Sequence, residues 1–423
     1  MNNTYSEIKN KFLKFDKDFN DEGIFDDELL HSLCRESLEY GFLDLYSRCM
    51  ELMCNYYLKE GILEKYLQIY TEFEKIAQDK KGLLLLSCMR LEADYLANYC
   101  SEMNKAIELL KKALILYSEM EADSPQILFK LNQTLAIVYY LSGDYTQSIK
   151  YFYEALQCKL HKIALYQKGT IYVWIGTLEN NRQNYSSALY NFLKAIEIFR
   201  KYNKELALSS VLLQRACVYL DLKKFPEAYN DLIQAFEIVD KHNFIVGKMG
   251  VYHRLGMYHR LTGNYAKCEE YLMLIKDENK QNTIHQGQVN LELAYLYSDT
   301  KSIEKAHFHF IKAAEIFKEL NSNSVLFEIY VCITRLFLTQ NMFVKAKEYI
   351  EIIETMQPEI YGLNYKKELY ELYTKYYEGQ KKYSKALQYS KMHVDVLSDL
   401  LEAKNRNNAD SQAIKFEIEK RDL

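Results

Sequence analysis

The chain is poor in the residues that interrupt helices. It has 14 glycines and 3 prolines in 423 residues, about 4% against roughly 12% in an average protein. A sheet protein needs turn residues at intervals of roughly 8–12 positions, and this chain lacks them. No GxGxxG occurs, nor GxxxxGK followed by Ser or Thr, so the glycine loops that cradle dinucleotides and phosphates are missing. Tryptophan appears once, at Trp174, and the nine cysteines include no CxxC pair. Unpaired cysteines of this kind suit a reducing compartment, where they act as small hydrophobes. No apolar run reaches the roughly 18 residues of a membrane span, and the opening MNNTYSEIKNKFLKFDKDFNDEG is too charged for a signal peptide. A net charge of −4 gives no general pull toward nucleic acid or an anionic membrane. These absences predict a cytoplasmic protein.

What is present is helical material: 49% hydrophobic, 26% charged and 14% aromatic, the last too high for disorder. Self-comparison shows a repeated design. One copy runs Leu135-Ala136-Ile137-Val138-Tyr139, then Gly143-Asp144-Tyr145, then Ser148, Phe152 and Ala155. The next gives Gly176, Tyr185, Ala188, Phe192 and Ala195, and Ala216, Tyr219, Phe225, Ala228, Leu232 and Ala235 follow. A further copy has Gly256, Gly263, Tyr265, Cys268 and Leu272, and another Ala294, Tyr297, Ala306, Phe310 and Ala313. The small residue opening each second helix recurs at Ala106, Ser148, Ala188, Ala228, Cys268, Ala306, Ala346 and Ala386. Its spacings are 42, 40, 40, 40, 38, 40 and 40. A degenerate copy precedes these around Tyr56–Ile69.

This register resembles the tetratricopeptide repeat (TPR). The resemblance implies an all-α, right-handed α-solenoid of about eight or nine helix hairpins over residues 40–395. Small residues would let the two helices of a hairpin approach, and aromatics would fill the holes between hairpins. The period of 40 exceeds the usual value of roughly 34. The extra residues predict either helices longer by about a turn or a wider loop between repeats. The family's Trp is missing from every copy, and only Pro358 echoes its closing Pro.

Residues 1–39 fall outside the register. Tyr5–Phe19 and Phe25–Tyr40 read as two helices around Asn20-Asp21-Glu22-Gly23, serving as a cap or as a bundle that contacts an effector. Residues 396–423 read as a capping or linker helix. From Glu402 onward five acids balance five bases, a mixture suited to an exposed helix with pairs such as Glu417 and Arg421. This segment resembles the helical linker after TPR arrays in bacterial signalling proteins, ahead of a diguanylate cyclase, histidine kinase or transcription-regulator output. The pattern stops at Leu423 without a Gly or Pro, which predicts the sensory part of a longer protein. A mixed-charge helix there also suits a parallel homodimer.

Catalytic chemistry has no visible carrier, and no cofactor or metal is expected. His307 and His309 lie two apart on a helix and point in opposing directions, His253 and His259 diverge, and no HExxH is present. The functional surface of a TPR array is its concave face, lined by the first helix of each pair. The register places Gln133, Tyr140, Trp174, Thr177, Asn180, Asn181, Gln214, His253, Arg254, Met257, Arg260, Tyr295, Ser298 and Arg335 there. Arg254 and Arg260 bracket Gly256 and could receive a carboxylate through planar forks, or be ordinary polar residues. Trp174 could fill a gap between repeats or wall a ligand side chain. Asn180 and Asn181 could end a helix or hold a peptide backbone through their amides. The slots of the chaperone-type carboxylate clamp hold Val173, Thr177, Leu213 and Cys217, which argues against that activity.

The expectation is a non-catalytic sensor or interaction module that binds a peptide or protein segment and regulates an attached or associated signalling output. No nucleic acid or membrane is expected as a direct partner. Two readings stay open beside it. One is a free-standing receptor resembling Rap-type peptide pheromone regulators, which act on a response regulator through an N-terminal helical bundle. The other is a passive scaffold.

Overall fold

The computed structural model describes residues 2–22, 25–100, 102–120, 124–160, 165–278, 283–356 and 358–421. Among these residues the chain forms twenty helices and no strand, the all-α solenoid class that the repeat implies. An N-terminal pair, α1 (Asn2–Glu22) and α2 (Asp27–Glu39), precedes nine hairpins. Their first helices are α3 (Leu43–Lys59), α5 (Gly82–Asn98), α7 (Pro125–Leu141), α9 (Gln167–Asn181), α11 (Glu205–Asp221), α13 (Ile245–Leu261), α15 (Thr283–Asp299), α17 (Asn323–Thr339) and α19 (Pro358–Gly379). Their second helices are α4 (Leu63–Lys80), α6 (Met103–Glu119), α8 (Tyr145–Gln157), α10 (Tyr185–Lys201), α12 (Phe225–Lys241), α14 (Tyr265–Glu278), α16 (Ile303–Glu319), α18 (Phe343–Thr355) and α20 (Tyr383–Arg421). The chain divides into two compact units: Met1–Leu208 with Asp410–Leu423, and Ser209–Ala409.

The long period comes from the helices. The recurring helix is 17 residues, and turns such as Tyr202-Asn203-Lys204 need only three more. Each such turn reverses the chain through one residue in left-handed conformation. Glycine fills that place at Gly41, Gly61, Gly143 and Gly263, but Gln183, Asn203, Lys223, Asn243, Lys301, Asn321, Asn341 and Lys381 adopt it with φ between 48° and 62°. Asn tolerates this region, whereas Lys and Gln meet a steric penalty there. The Lys223 N–H donates to the Leu220 carbonyl at 3.0 Å and the Lys224 N–H to the Tyr219 carbonyl at 2.8 Å. These bonds satisfy carbonyls that the end of α11 would leave orphaned.

Close packing follows the sequence ruler. Every residue from Ala106 to Ala386 in that series is the fourth of its second helix and is buried. Where the residue is Ser148, its hydroxyl donates to the Ala136 carbonyl at 2.8 Å, so the one polar member is satisfied. Forty residues before Ala106 the slot holds Tyr66, which is buried and stacks on Tyr95 at 5.1 Å. The degenerate copy thus fills the slot with a ring. A Cβ on Gly176 would stand 2.7 Å from the Phe192 ring, and one on Gly256 would stand 3.3 Å from Leu272. Both glycines mark a close approach between the two helices of their hairpin.

In the first unit, Ile8, Phe12 and Phe15 of α1 and Leu30 and Leu33 of α2 bury themselves with Tyr46, Met53 and Phe73. The N-terminal pair and the first hairpin therefore share one core. In the second unit Phe310, Phe337 and Ile350 anchor one cluster, and Leu272 and Leu293 another. Helix α19 is interrupted at Gly362, φ 50°, and residues 396–421 continue α20. The pairing expected of Glu417 and Arg421 lies outside the described side chains.

Two substitutions test this packing in urea or thermal unfolding. Lys223→Gly should stabilise by on the order of 1 kcal/mol or less, by relieving the left-handed penalty against the added chain entropy. Gly176→Ala should destabilise by about 1–3 kcal/mol, because Phe192 must leave its rotamer or the helices must part. A destabilised Lys223→Gly, or a neutral Gly176→Ala, would contradict the assignment of these positions.

Candidate binding groove

The first unit contains a groove of about 1660 Å³. Small-molecule pockets usually occupy roughly 300–1,000 Å³, so this space suits a chain segment better. Its walls come from α1, from α3, α5 and α7, and from the start of α9. Leu13, Leu43, Leu52, Leu83, Ile127 and Leu165 give it an apolar lining. Eight lysines and arginines also line it, against two acids, Asp44 and Glu51.

At the centre Glu51 of α3 is buried between cations from the next two first helices. Arg90 Nη2 of α5 lies 3.3 Å from Glu51 Oε2, and Lys130 of α7 bonds the same oxygen. Burial alone would raise the Glu51 carboxyl, but Lys130 and Arg90 outweigh it and bring it down to about 2. Ser87 adds a hydrogen bond to the carboxylate. Arg90 is itself 8% exposed, and its Nε is buried with no acceptor. On the neighbouring wall Gln126 Nε2 donates to Gln167 Oε1 at 2.6 Å, while Asp44 Oδ2 accepts from the Tyr5 hydroxyl at 2.7 Å.

Of the residues singled out from sequence, Gln133 lines this groove. The others in the first unit sit elsewhere on α7 and α9. Asn181 Nδ2 donates to the Tyr140 hydroxyl at 2.9 Å. Trp174 is half-buried, edge-on to Tyr140 at 5.5 Å and stacked on Phe152 at 6.1 Å. The Thr177 hydroxyl turns back onto the Val173 carbonyl at 2.9 Å, and Asn180 Oδ1 is buried without a hydrogen bond.

In the second unit the sequence-derived residues form a ladder across successive first helices. Arg260 Nε lies 3.3 Å from Glu292 and its Nη1 3.0 Å from Asp299. Its guanidinium also stands over the Tyr295 ring at 5.2 Å. The Tyr295 hydroxyl meets Cys332 Sγ at 3.7 Å, and Arg335 pairs with Glu368 and Glu371 at 2.5 and 2.7 Å. Arg260 and Arg335 are thus engaged by the chain's own carboxylates. Arg254 rests against His253 Nδ1 at 3.2 Å and Met257 Sδ at 3.3 Å. Burial, with Arg254 beside it, pushes His253 down to about 3, so His253 is neutral at neutral pH. The Ser298 hydroxyl donates to the Ala294 carbonyl at 2.7 Å, and Gln214 is half-buried on α11.

The Glu51–Arg90–Lys130 cluster escaped the sequence reading because the register began at Ala106, with Tyr66 masking the copy before it. A usable signal existed: Arg90 interrupts the largely apolar stretch Leu83-Leu84-Leu85-Leu86-Ser87-Cys88-Met89-Arg90-Leu91, and Glu51 stands within Cys49-Met50-Glu51-Leu52-Met53. A lone charge inside such a run is rarely buried unless paired.

Among the described residues no group of three or more His, Cys, Asp or Glu side chains is placed to hold a metal, and no helix is long and apolar enough to cross a membrane. No protein-family model and no curated protein sequence matches the chain. Solved structures share its fold. A Rap protein complexed with competence and sporulation factor is 13% identical with a TM-score of 0.58, covering 84% of this chain and 99% of that one. The Rap conjugation gene regulator of plasmid pLS20, in complex with the Phr* peptide, is 14% identical with a TM-score of 0.52, covering 84% and 96%. Aspartyl phosphate phosphatase F from Bacillus subtilis is 16% identical with a TM-score of 0.54, covering 83% and 94%. At these identities the likeness is one of fold.

The depressed Glu51 carboxyl sets a pH dependence. An unfolded glutamate titrates near about 4.3, so the stabilisation is fully present above that value and is lost as pH falls toward about 2. Urea titrations followed by the emission of Trp174, the sole tryptophan, should show Glu51→Gln less stable than wild type at pH 7, by on the order of 3 kcal/mol at most. The difference should shrink between pH 4 and 2. A pH-independent gap would show that Glu51 is not held ionised.

Proposed function

We propose that this chain is a receptor for an extended peptide or protein segment, that the segment lies in the groove of the first unit, and that its binding regulates a signalling output. The observation that carries this reading is the groove itself: it is larger than a small-molecule pocket and mixes leucines with cations. Its walls are helices, whose side chains are held more rigidly than those of loops, so little ordering is needed on binding. The fold likeness supports it, since the Rap regulator of pLS20 is in complex with the Phr* peptide. The reading assigns the chain no catalytic step. The output partner is carried on the same polypeptide or met as a separate protein.

In a solenoid each hairpin touches only its neighbours, so a ligand bridging α3, α5 and α7 can shift their mutual packing with modest energy. Trp174, packed between Tyr140 of α7 and Phe152 of α8, is placed to report such a shift.

Selection of a displayed random nine-residue peptide pool on the purified full chain tests this. Retained peptides should bind with saturable change in Trp174 emission. Gln133→Tyr, which fills the groove wall, should weaken them roughly tenfold or more, whereas Tyr190→Ala, on the exposed side of α10, should not. Equal binding by the filled variant would place the ligand elsewhere and sink the groove assignment.

A further inference from the structure

The charge lining the groove is out of keeping with the chain that builds it. The protein has 54 Lys and Arg against 58 Asp and Glu, yet the groove has eight cations and two acids. One of those acids, Asp44, is occupied by the Tyr5 hydroxyl. The other, Glu51, is a single carboxylate shared by Arg90 and Lys130. Buried Arg90 and Glu51, with half-buried Lys130, leave one excess positive charge at a wall where water screens less than at an open surface.

Arg90 shows the same imbalance in its hydrogen bonds. A guanidinium has five N–H donors. Its Nη2 faces Glu51, while Nε is buried and donates to nothing. Asp94, one turn along α5, lies in the field of Arg90, but its carboxylate accepts from Asn98 Nδ2 at 3.0 Å. An orphaned charged donor at a groove wall is costly to leave unmade.

We infer that the groove is built for an acidic, partly apolar peptide segment, one of whose carboxylates docks at Arg90 and Lys130. This rests on the receptor reading above and names its ligand class. Glu51 is then an internal carboxylate that holds the two cations in place when the groove is empty. Further cations lie around the site: Arg48, stacked over the Phe12 ring at 4.6 Å, and Lys204, over Tyr166 at 4.9 Å. These would meet additional acidic residues, with Leu52, Leu83 and Ile127 taking the apolar side chains between them. A single-stranded nucleic acid would also answer to cations, but it uses aromatic platforms for its bases. The apolar part of the lining is mainly leucine and isoleucine, with Phe12, Tyr166 and Tyr202 its aromatic members.

The test uses the full chain and the peptide pool described above. Retained peptides should be enriched in Asp and Glu separated by apolar residues, and a fluorescein-labelled consensus peptide should bind more weakly as salt rises. Its Gln-for-Glu counterpart should bind roughly tenfold more weakly or worse. Glu51→Gln should tighten the acidic peptide by several-fold, because it removes the competing internal carboxylate, although it makes the free protein less stable. Arg48→Gln, at an exposed position, should weaken it by about two- to fivefold and flatten the salt dependence. Lys130→Gln should weaken it more. If Lys130→Gln does not fold, Arg48→Gln and Glu51→Gln still decide the matter.

Retained peptides with no acidic bias, still lost in Gln133→Tyr, would overturn the ligand class and leave the groove reading intact. A pool that yields no binder would overturn both. Displacement of the acidic peptide by a dT15 oligonucleotide at lower concentration than by the unlabelled peptide would assign the cations to nucleic acid instead. Unchanged or weaker binding by Glu51→Gln would make Glu51, Arg90 and Lys130 a structural cluster only.

Discussion

The structure depends on one close contact, repeated. At the fourth position of nearly every second helix a side chain no larger than Ala, Ser or Cys lets the first helix of the hairpin approach. Interaxial distance is set by the side chains at the crossing, so these positions fix the width of each hairpin. A constant width, combined with 17-residue helices and three-residue turns, returns the chain to equivalent places about every 40 residues. The inner faces of α3, α5 and α7, or of α13, α15 and α17, are aligned for that reason. Polar side chains far apart in sequence then stand next to one another, as Glu51, Arg90 and Lys130 do across 79 residues.

This contact is what made the fold readable. The series from Ala106 to Ala386 gave the hairpins, their order and the packing role of Gly176 and Gly256, because in eight of the nine hairpins the crossing holds a small residue. The turns were less readable. With few glycines to use, the chain makes its reversals with Gln183, Asn203, Lys223 and Asn243 at intervals of 20. Those residues carry φ > 0 at a local penalty because paired backbone bonds at each helix end and the packing of the next helix hold them there. Their regular spacing was in the sequence, but nothing in a lone Lys announces a left-handed turn.

The site was less legible than the fold, for a different reason. A register tells which residues face inward but says nothing about which of them already have partners. From sequence Arg260, together with Arg254, could receive a ligand's carboxylate or be an ordinary polar residue, while Arg335 is placed only on the inner face. In the second unit Glu292, Asp299, Glu368 and Glu371 take up the charges of Arg260 and Arg335. Such rungs join one hairpin to the next and stiffen the inner face. They are internal because the following repeat supplies an acid at a reachable height, a coincidence of registers that pairwise spacing alone does not reveal. Tyr66 left the first copy legible only as a degenerate one around Tyr56–Ile69, without the cluster in which the cations outnumber their partners.

That imbalance has an energetic logic. A fully neutralised set of buried ions is close to break-even against an apolar core, because desolvation offsets attraction. An under-neutralised set is worse than break-even for the free protein, and the deficit is recovered only when another anion arrives. Pre-positioned cations also lose little freedom on binding, since helix backbone and ring stacking already hold them. Glu51 keeps the deficit tolerable without abolishing it: one carboxylate prevents Arg90 and Lys130 from repelling each other and leaves Arg90 Nε unmet. Removing Glu51 and supplying an external carboxylate are therefore coupled, and the sign of that coupling separates a binding device from a brace. A brace weakens everything when a member is lost, whereas a binding device loses stability in the free state and gains affinity.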